Sequence, residues 1–426
     1  MMLQGNDMQA GRDLSLPSSW RVRFFTVWTG QAVSLAGSAL VSFALIWWLT
    51  ETAASATTLS IASVLGWLPV IVLGPFAGVL VDRWDRRRVM IVADGSIALL
   101  TAVLAWLFWA GVAETWHVYV VLFLRSLGGA FHKPAMTSAT SLMVPEDQLT
   151  RVSGLNATLQ GILTFVSPAL GALLLALLNV QGVLAIDIVT AAVAIVPLAT
   201  VHLPEVTGTV LPGVAGTSAS KRPIVQDLVE GFRYVWNQRG LFLLFVTATV
   251  GILFVQPALT FLPLLVTQHF RGTAMELGWM QSAYGLGYIA GGAALSVWGG
   301  SKRRMVTSIV GTVGIGTGIL AMGLVPSTAF PLALAIWLSV GVMFPVALGP
   351  IRAIYQTSVR TDMQGRFFTL NDAVVRATSP LGLAVAGPVA DAFGIRVLWV
   401  IAGIALVGLA VTRLLTPTIL HLGEPE

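Results

Sequence analysis

The sequence predicts an all-α polytopic membrane protein, with twelve transmembrane helices arranged as two parallel repeats of six. Of its 426 residues, 56% are hydrophobic and only 10% are charged, whereas soluble domains carry roughly 25% charged residues. The mean hydropathy is +0.84. Apolar stretches of about 20 residues, the length that crosses a bilayer, recur along the chain, and one polar segment divides them into two sets of six.

The predicted spans give the chain a symmetrical organisation. In order, they cover 24–49, 58–81, 89–111, 117–141, 152–178, 182–203, 241–266, 275–298, 305–325, 329–350, 367–391 and 395–416. The two helical bundles are therefore residues 24–203 and 241–416. A cytoplasmic linker at 204–240 joins them, and cytoplasmic tails at 1–23 and 417–426 flank them.

The placement of lysine and arginine predicts the topology. Most of the 24 basic side chains fall on the tails and on alternate loops, whereas the opposite loops hold only Arg271 and Arg396. Such residues concentrate on the cytoplasmic side of a membrane, so both termini are expected in the cytoplasm, beneath a bacterial-type plasma membrane. The net charge of +5 then reflects topology, and no nucleic acid partner is expected. Residues 1–23 lack an apolar core, which argues against a cleaved signal peptide.

The 204–240 linker has two parts of different composition. Residues 208–223 are rich in Gly, Ser, Thr and Pro, which is typical of flexible linkers. Residues 224–239 predict an amphipathic helix that lies on the inner membrane surface. The apolar side chains that share one face of this helix are Ile224, Leu228, Phe232 and Val235.

A charged hairpin between spans 2 and 3 is the most distinctive stretch. Residues 74–90 are GPFAGVLVDRWDRRRVM, and they resemble the signature G-x-x-x-D-R/K-x-G-R-R/K of the major facilitator superfamily. Asp85 stands where that signature has its second glycine. The resemblance implies the facilitator fold, with substrate bound between two bundles, and a gating role for the hairpin. Because Gly74 and Gly78 share a helix face, another backbone is expected to come close there. The expected gating residues are Gly74, Gly78, Asp82, Arg83, Arg86 and Arg87.

Further stretches narrow the resemblance. Residues 28–35, 91–94, 123–135, 144–149 and 185–187 are similar to the macrolide-efflux branch of the drug:proton antiporter-3 family. This resemblance implies export of amphipathic drugs such as macrolides, driven by a proton gradient and without a cofactor. Siderophore exporters of the enterobactin type are near this branch, so siderophore or metabolite export stays open. The expected partners are a small amphipathic substrate, protons and membrane lipids, and the chain is expected to be a monomer.

Proton coupling requires a carboxylate that is ionised and neutralised in turn. The candidates are charged residues inside the predicted spans, namely Asp94, Arg125, Asp187, Asp372 and Arg376. Asp94 ranks first among the carboxylates because it also lies within the family resemblance. His132 is a possible proton relay because it shares a helix face with Arg125. The alternatives are structural: an ion pair between helices for Arg125, and mutual neutralisation of Asp372 and Arg376, which are four residues apart.

Polar side chains at helical spacing predict the lining of the substrate cavity. The candidates in spans 1, 5 and 8 are Gln31, Ser34, Ser38, Asn156, Gln160, Gln281, Tyr284 and Tyr288. Such stripes also join membrane helices to one another, which is the alternative interpretation.

Other classes of protein are less compatible with the sequence. It contains no G-x-S-x-G, H-E-x-x-H or P-loop motif, which argues against an enzyme and against ATP hydrolysis by this chain. It contains no cysteine, which excludes disulfides and thiolate metal sites, and no metal site is predicted. The six-plus-six organisation argues against the permease of an ABC system. A proton-coupled importer on the same fold stays open, as does a membrane protein that signals without transport.

Overall fold

The computed structural model describes residues 20–201, 224–420 and 422, without the side chains at positions 75, 79, 82 and 224–227. This part of the chain consists of helices and connecting turns and contains no strand, which confirms the all-α class. Residues 1–19, the predicted linker segment 208–223 and the last four residues lie outside the described ranges.

Five helices form the N-terminal half. They are α1 (Trp20–Ala53), α2 (Ala56–Arg83), α3 (Arg86–Trp109), α4 (Thr115–Met143) and α5 (Leu149–Thr200). The last of these runs for 52 residues, but Asn179 interrupts it with φ 58° and ψ −177°. Asparagine tolerates positive φ better than most residues do. The predicted spans 152–178 and 182–203 lie on either side of Asn179, so α5 consists of two helices that meet there.

The C-terminal half begins with a short helix and contains six long ones. The elements are α6 (Ile224–Trp236), α7 (Arg239–Thr260), α8 (Leu262–Leu264), α9 (Ala274–Trp298), α10 (Arg304–Leu324), α11 (Phe330–Ser358), α12 (Gln364–Phe393), α13 (Ile395–Leu415) and α14 (Pro417–Leu420). Helices α9 and α11 pack closely because a glycine faces the neighbouring backbone. A Cβ atom on Gly287 would lie only 2.2 Å from the Leu338 carbonyl oxygen.

The chain is a multi-pass membrane protein. Nine helices within the described residues are long and apolar enough to cross a membrane. Large apolar side chains are exposed on their outer faces, including Leu177 at 69% and Trp109 at 78%, as expected where lipid replaces water. Helix α5 counts once among the nine although it contains two predicted spans, and α4 and α9 are not among them. The count of twelve spans therefore stays a prediction.

The two halves contact each other mainly toward one end. We call it the far end; it contains the α1–α2 turn (Ala53–Ala56) and the end of α12. The opposite end, which we call the linker end, contains the α2–α3 turn and α6. At the far end, the Gln268 side chain donates to the Ala54 carbonyl across the halves (2.8 Å). A Cβ atom on Gly387 of α12 would lie 3.0 Å from the Thr57 Cα atom of α2, so these helices cross closely there.

The packing of α6 differs from the predicted single apolar face. Val235 is fully buried, whereas Phe232 is 46% exposed, although both were placed on the same face. The reason is that α6 docks on α12: a Cβ atom on Gly231 would lie 2.9 Å from the Arg366 carbonyl oxygen. This docking buries Val235 and leaves a second apolar stripe, containing Phe232 and Trp236, exposed.

Candidate functional site

A buried ion pair between Arg125 and Asp187 lies inside the N-terminal half. The Arg125 Nη1 and Asp187 Oδ2 atoms are 2.6 Å apart, and the two side chains are only 10% and 1% exposed. The Ser38 hydroxyl donates to Asp187 Oδ1 (3.1 Å) and accepts from Arg125 Nη2 (3.1 Å). The Thr101 hydroxyl contacts both charged groups. Each charge of the pair is therefore satisfied by partners inside the N-terminal half, so the geometry favours the structural alternative for this pair.

Asp94 of α3 has a different environment. The Gln31 amide donates to Asp94 Oδ2 over 2.8 Å, and His132 Nε2 lies 3.2 Å from Asp94 Oδ1. The Nε2 atom has no hydrogen-bond partner among the described residues, so its approach to the carboxylate is close without being a hydrogen bond. Asp94 is 5% exposed, and no Lys or Arg forms an ion pair with it among the described residues. Its partners are an amide and an imidazole, which leaves it without a permanent counter-charge.

The structure corrects the predicted cavity role of span 1. Gln31 and Ser34 are 3% and 8% exposed, and Ser38 contacts the Arg125–Asp187 pair. This stripe therefore faces α3, α4 and α5 inside the N-terminal half and not the space between the halves. The physical reason is that buried carboxylates require hydrogen-bond donors, and α1 supplies them.

The remaining cavity candidates lie closer to the cleft between the halves. Gln160 of α5 and Tyr288 of α9 are exposed, the latter by 46%, and Gln281 is half-buried on the same side of α9 as Tyr288. Asn156 accepts a hydrogen bond from the Trp28 indole (2.7 Å), which ties α5 to α1. Tyr284 instead packs into the C-terminal half.

The aromatic environment of Tyr284 explains its burial. Its ring lies 5.7 Å from the Trp337 ring and 5.4 Å from the Phe344 ring of α11. The Tyr288 ring is 6.5 Å away, at the edge of the cleft. Tyr284 therefore packs inside the C-terminal half, Tyr288 is left exposed beside it, and the role of both in a substrate cavity stays a prediction.

Asp372 and Arg376 do not form the predicted ion pair. Both side chains are exposed on α12, and neither forms a hydrogen bond or an ion pair with another described residue. They share a helix face with Gly387, which packs against α2 of the other half. The opposite face exposes Leu381 and Val385 by 65% and 67%, as expected for lipid contact. Because both side chains are exposed, water can solvate the two charges without their pairing.

Asp85 gives the charged hairpin its turn. Its carboxylate caps the N-terminus of α3, accepting from the backbone N–H of Arg87 (2.9 Å) and of Arg88 (3.4 Å). Its φ of −66° is accessible to any residue, so no glycine is required where the family signature has one. An N-cap carboxylate stabilises a helix start, and this explains how the hairpin accommodates the departure.

The arginines of the hairpin join it to neighbouring helices. The Arg87 guanidinium donates to the carbonyls of Leu198 and Ala199, in the last turn of α5, where unpaired carbonyls favour a cation. Arg86 Nε donates to the Ser138 hydroxyl of α4 over 3.2 Å, and the Arg83 side chain is exposed. These contacts hold the hairpin against the N-terminal half.

The predicted close approach at Gly74 and Gly78 is absent in this conformation. A Cβ atom on either glycine would meet nothing within 4 Å. Within the ranges that the structure describes, no backbone of the other half reaches these glycines. The Asp82 side chain, the central acid of the signature, lies outside the described residues.

Two charged residues with long-range polar contacts were not singled out by the sequence analysis. Arg413 is 3% exposed and donates to the hydroxyls of Thr247 (3.0 Å) and Thr312 (3.3 Å) inside the C-terminal half. Asp391, near the end of α12, accepts hydrogen bonds across the halves from the start of α2. No local pattern distinguishes either residue, because their partners are distant in sequence.

Asp391 forms the most extensive polar contact between the halves. Its carboxylate accepts from the Ser55 hydroxyl (2.8 Å), the Ala56 N–H (2.6 Å) and the Thr57 N–H (3.0 Å). The first helical N–H groups of α2 have no partner within the helix, so Asp391 supplies one from the other half.

These two bundles, their cleft and the charged hairpin can be compared with known proteins. A sequence model of the Major Facilitator Superfamily matches residues 27–382. The chain belongs to the Major Facilitator Superfamily. This membership confirms the predicted family and fold class and identifies the facilitator as a transporter, not an enzyme. No group of three or more His, Cys, Asp or Glu within the described ranges is placed to hold a metal ion.

Relatives cover nearly the whole facilitator. Macrolide efflux protein A of Streptococcus pyogenes is 32% identical over 394 residues, which cover 92% of this chain and 96% of the relative. Macrolide efflux protein A of Enterococcus faecalis is 32% identical over 329 residues, covering 77% and 99%. Multidrug efflux pump Tap of Mycobacterium tuberculosis is 28% identical over 405 residues, covering 92% and 93%.

Solved transporter structures share the fold. A mutant of the nucleoside transporter NupG superimposes with a TM-score of 0.70 at 14% identity, covering 92% of the facilitator and 98% of NupG. A bacterial homologue of the human lysosomal transporter Spinster superimposes with a TM-score of 0.68 at 12% identity, covering 93% and 95%. At such identities the likeness concerns the fold alone.

Proposed function

We propose that this facilitator exports amphipathic drugs such as macrolides from the cytoplasm in exchange for protons, by alternating access. The substrate class rests on the macrolide and multidrug efflux relatives. The mechanism rests on one observation, the one-sided contact between the halves. We further propose that the chain acts as a monomer in a bacterial-type plasma membrane, with both termini in the cytoplasm, and that the proton gradient drives it without a cofactor.

The contact between α2 and α12 supports a rocking motion. Ser60 of α2 packs against Gly387 at the far end. Gly78 lies 18 residues farther along α2, about 27 Å at the usual helical rise, and on the same face as Ser60. The space beside Gly78 is open. Rotation of one half about the closed end would bring Gly78 against α12 and close the linker end. With the N-terminus in the cytoplasm, the described conformation is inward-open.

The Asp94–His132 pair is the proposed proton site. With Asp94 ionised and His132 neutral, the pair holds one buried negative charge; one added proton cancels it. Burial disfavours an uncompensated net charge, so a buried site of this kind is suited to carry the proton. The Arg125–Asp187 pair is already neutral, because its cation is permanent. Asp94 and His132 therefore support proton exchange better than Arg125 and Asp187 do.

Drug accumulation tests the proposal. The full-length protein is expressed in bacteria that lack their own drug pumps, and accumulation of labelled erythromycin is followed before and after a protonophore is added. We expect accumulation below that of the empty-vector cells, rising to the same level with the protonophore. Asp94→Asn and His132→Asn should abolish the protonophore-sensitive difference at unchanged membrane levels. Asp362→Asn, an exposed loop variant at the linker end, is the matched control and should export normally.

Two results would contradict the proposal in different ways. Accumulation equal to that of the vector control, with the protein present in the membrane, would exclude macrolide export and favour siderophore or metabolite export. Accumulation above the control that falls with the protonophore would indicate a proton-coupled importer. Normal protonophore-sensitive export by both Asp94→Asn and His132→Asn would exclude this pair as the coupling site.

A further inference from the structure

The cleft-facing side of α12 carries a carboxylate and a guanidinium one turn apart. We propose that Asp372 and Arg376 form a polar substrate subsite, which binds amphipathic molecules that carry a protonated amine and, beyond it, an uncharged hydrogen-bond acceptor. The inference rests on the proposed drug export and adds to it a substrate chemistry and an orientation. It also gives these residues a role other than the proton coupling predicted from the sequence.

The direction of both side chains follows from the contacts of α12. At 3.6 residues per turn, Arg376 and Gly387 lie within about 60° of Asp372 around the helix axis. Gly387 packs against Thr57 and Ser60 of α2 in the other half. The exposed apolar face, represented by Leu381, is about 180° away. Asp372 and Arg376 therefore face the cleft and not the lipid.

The charges are unusual because they are free. The other ionisable side chains buried within the bundles have polar partners: Arg125 pairs with Asp187, and Asp94 contacts His132. Neither Asp372 nor Arg376 has a partner among the described residues, although an acid four residues before a base is well placed to pair on a helix. Ionisable residues inside membrane spans generally serve function. Unpaired charges on a cleft wall are available to a ligand.

The order of the two charges selects the ligand and its orientation. Asp372 lies nearer the linker end, and Arg376 lies one turn deeper, about 6 Å away. A protonated amine, like any organic cation, is attracted by the charge of a carboxylate and repelled by the guanidinium, and its N–H adds a charge-assisted hydrogen bond. A bound molecule should therefore place its amine toward the linker end and a carbonyl or hydroxyl oxygen toward Arg376.

Paired probes separate the two roles. Binding to the purified full-length protein is measured for tetraphenylphosphonium, a permanent cation, and for triphenylphosphine oxide, a neutral acceptor of similar shape. We expect Asp372→Asn to weaken phosphonium binding by about tenfold, which corresponds to about 1.4 kcal/mol, and to leave oxide binding unchanged. Arg376→Gln should weaken oxide binding and leave phosphonium binding as tight as before, or tighter. Asp372→Glu keeps the charge and should retain phosphonium binding.

The controls distinguish a subsite from a structural pair. Asp362→Asn removes an exposed carboxylate outside the cleft and should change neither affinity. The subsite is overturned if wild-type protein binds neither probe, or if each variant weakens both probes equally.

Failure of the subsite and failure of the proposed function give different results. If erythromycin is not exported but phosphonium binding depends on Asp372, drug export is wrong and the subsite stands. If erythromycin is exported and phosphonium binding is indifferent to Asp372, export stands and the subsite is wrong.

Discussion

Replacing Asp391 by alanine should open the far end of the transporter. The Asp391 carboxylate joins the halves through the Ser55 hydroxyl and the backbone N–H groups of Ala56 and Thr57, at 2.6–3.0 Å. It contributes only while the far end is closed, because the start of α2 and the end of α12 must separate when that end opens. The substitution therefore removes stabilisation from one conformation and not from the other.

The size of the effect follows from the geometry. Removing a side chain that caps a helix N-terminus costs about 0.5–2 kcal/mol. Asp391 is exposed, so water can replace part of what is lost. Ser55 also continues to cap α2 by accepting from the Thr58 N–H (3.3 Å). We therefore expect a shift in the lower part of that range, about 0.5–1 kcal/mol toward the far-end-open state, which changes the population ratio about 2- to 5-fold. Asp391→Asn retains an acceptor and should shift it less.

Distances between spin labels measure this shift directly. The chain has no native cysteine, so cysteine pairs can be introduced without further changes. Exposed positions in opposite halves are Val112 with Ser327 at the far end and Ser153 with Lys302 at the linker end. Pulsed electron–electron double resonance on Asp391→Ala should show a larger population of long far-end distances and of short linker-end distances.

The matched control caps a helix within one half. The Glu276 carboxylate accepts from the Thr273 N–H (2.8 Å) and hydroxyl (2.5 Å) at the start of α9. Glu276→Ala should lower stability without moving the distance distributions. Unchanged distance distributions in Asp391→Ala, or the same change in both variants, would refute the role of Asp391 in holding the far end closed.

Two further predictions concern the linker end and the buried ion pair. Gly78→Trp should fold normally, because the space beside Gly78 is open, but it should prevent closure of the linker end and abolish drug export. The control is Gly95→Trp on α3, where the space is also open. Normal export by Gly78→Trp would contradict the gating role. Asp187→Asn should lower the thermal stability of the purified protein, because breaking a buried ion pair by removing one partner costs roughly 3–5 kcal/mol. Since that loss comes from an uncompensated Arg125, the double variant Arg125→Met with Asp187→Leu should recover much of it, and no recovery would contradict the reasoning.

Helical periodicity located polar stripes correctly but did not identify the helices that they face. Gln31 and Ser38 do share one side of α1, as their spacing requires. That side meets Asp94 and Asp187 of other helices, 63 and 149 residues away in the chain. A stripe of period 3.6 looks the same whether it lines a cleft or binds buried carboxylates. Only the positions of the neighbouring helices distinguish the two roles.

For the charged residues within the predicted spans, too, the sequence located the residues but did not identify their partners. The position of Arg125 within an apolar span predicted that its charge needs a partner. The spacing of Asp372 and Arg376 placed them one helical turn apart. These sequence features did not pair Arg125 with Asp187, because the pair joins α4 to the second part of α5. They also suggested a pair at Asp372 and Arg376 that the structure does not form, since spacing allows a contact that side chains need not make beside water.

The sequence by itself determined the membrane environment, the helical class and the superfamily of this protein. These properties depend on the length of the apolar segments, on composition and on the local hairpin at 74–90. Each of these features is present in the local sequence and does not depend on contacts with distant residues. The tertiary structure alone decided which charges are buried and which face the cleft, and it showed that Asp391 connects the halves at one end. Those properties depend on contacts between distant helices, and the rotation of each helix about its axis sets them.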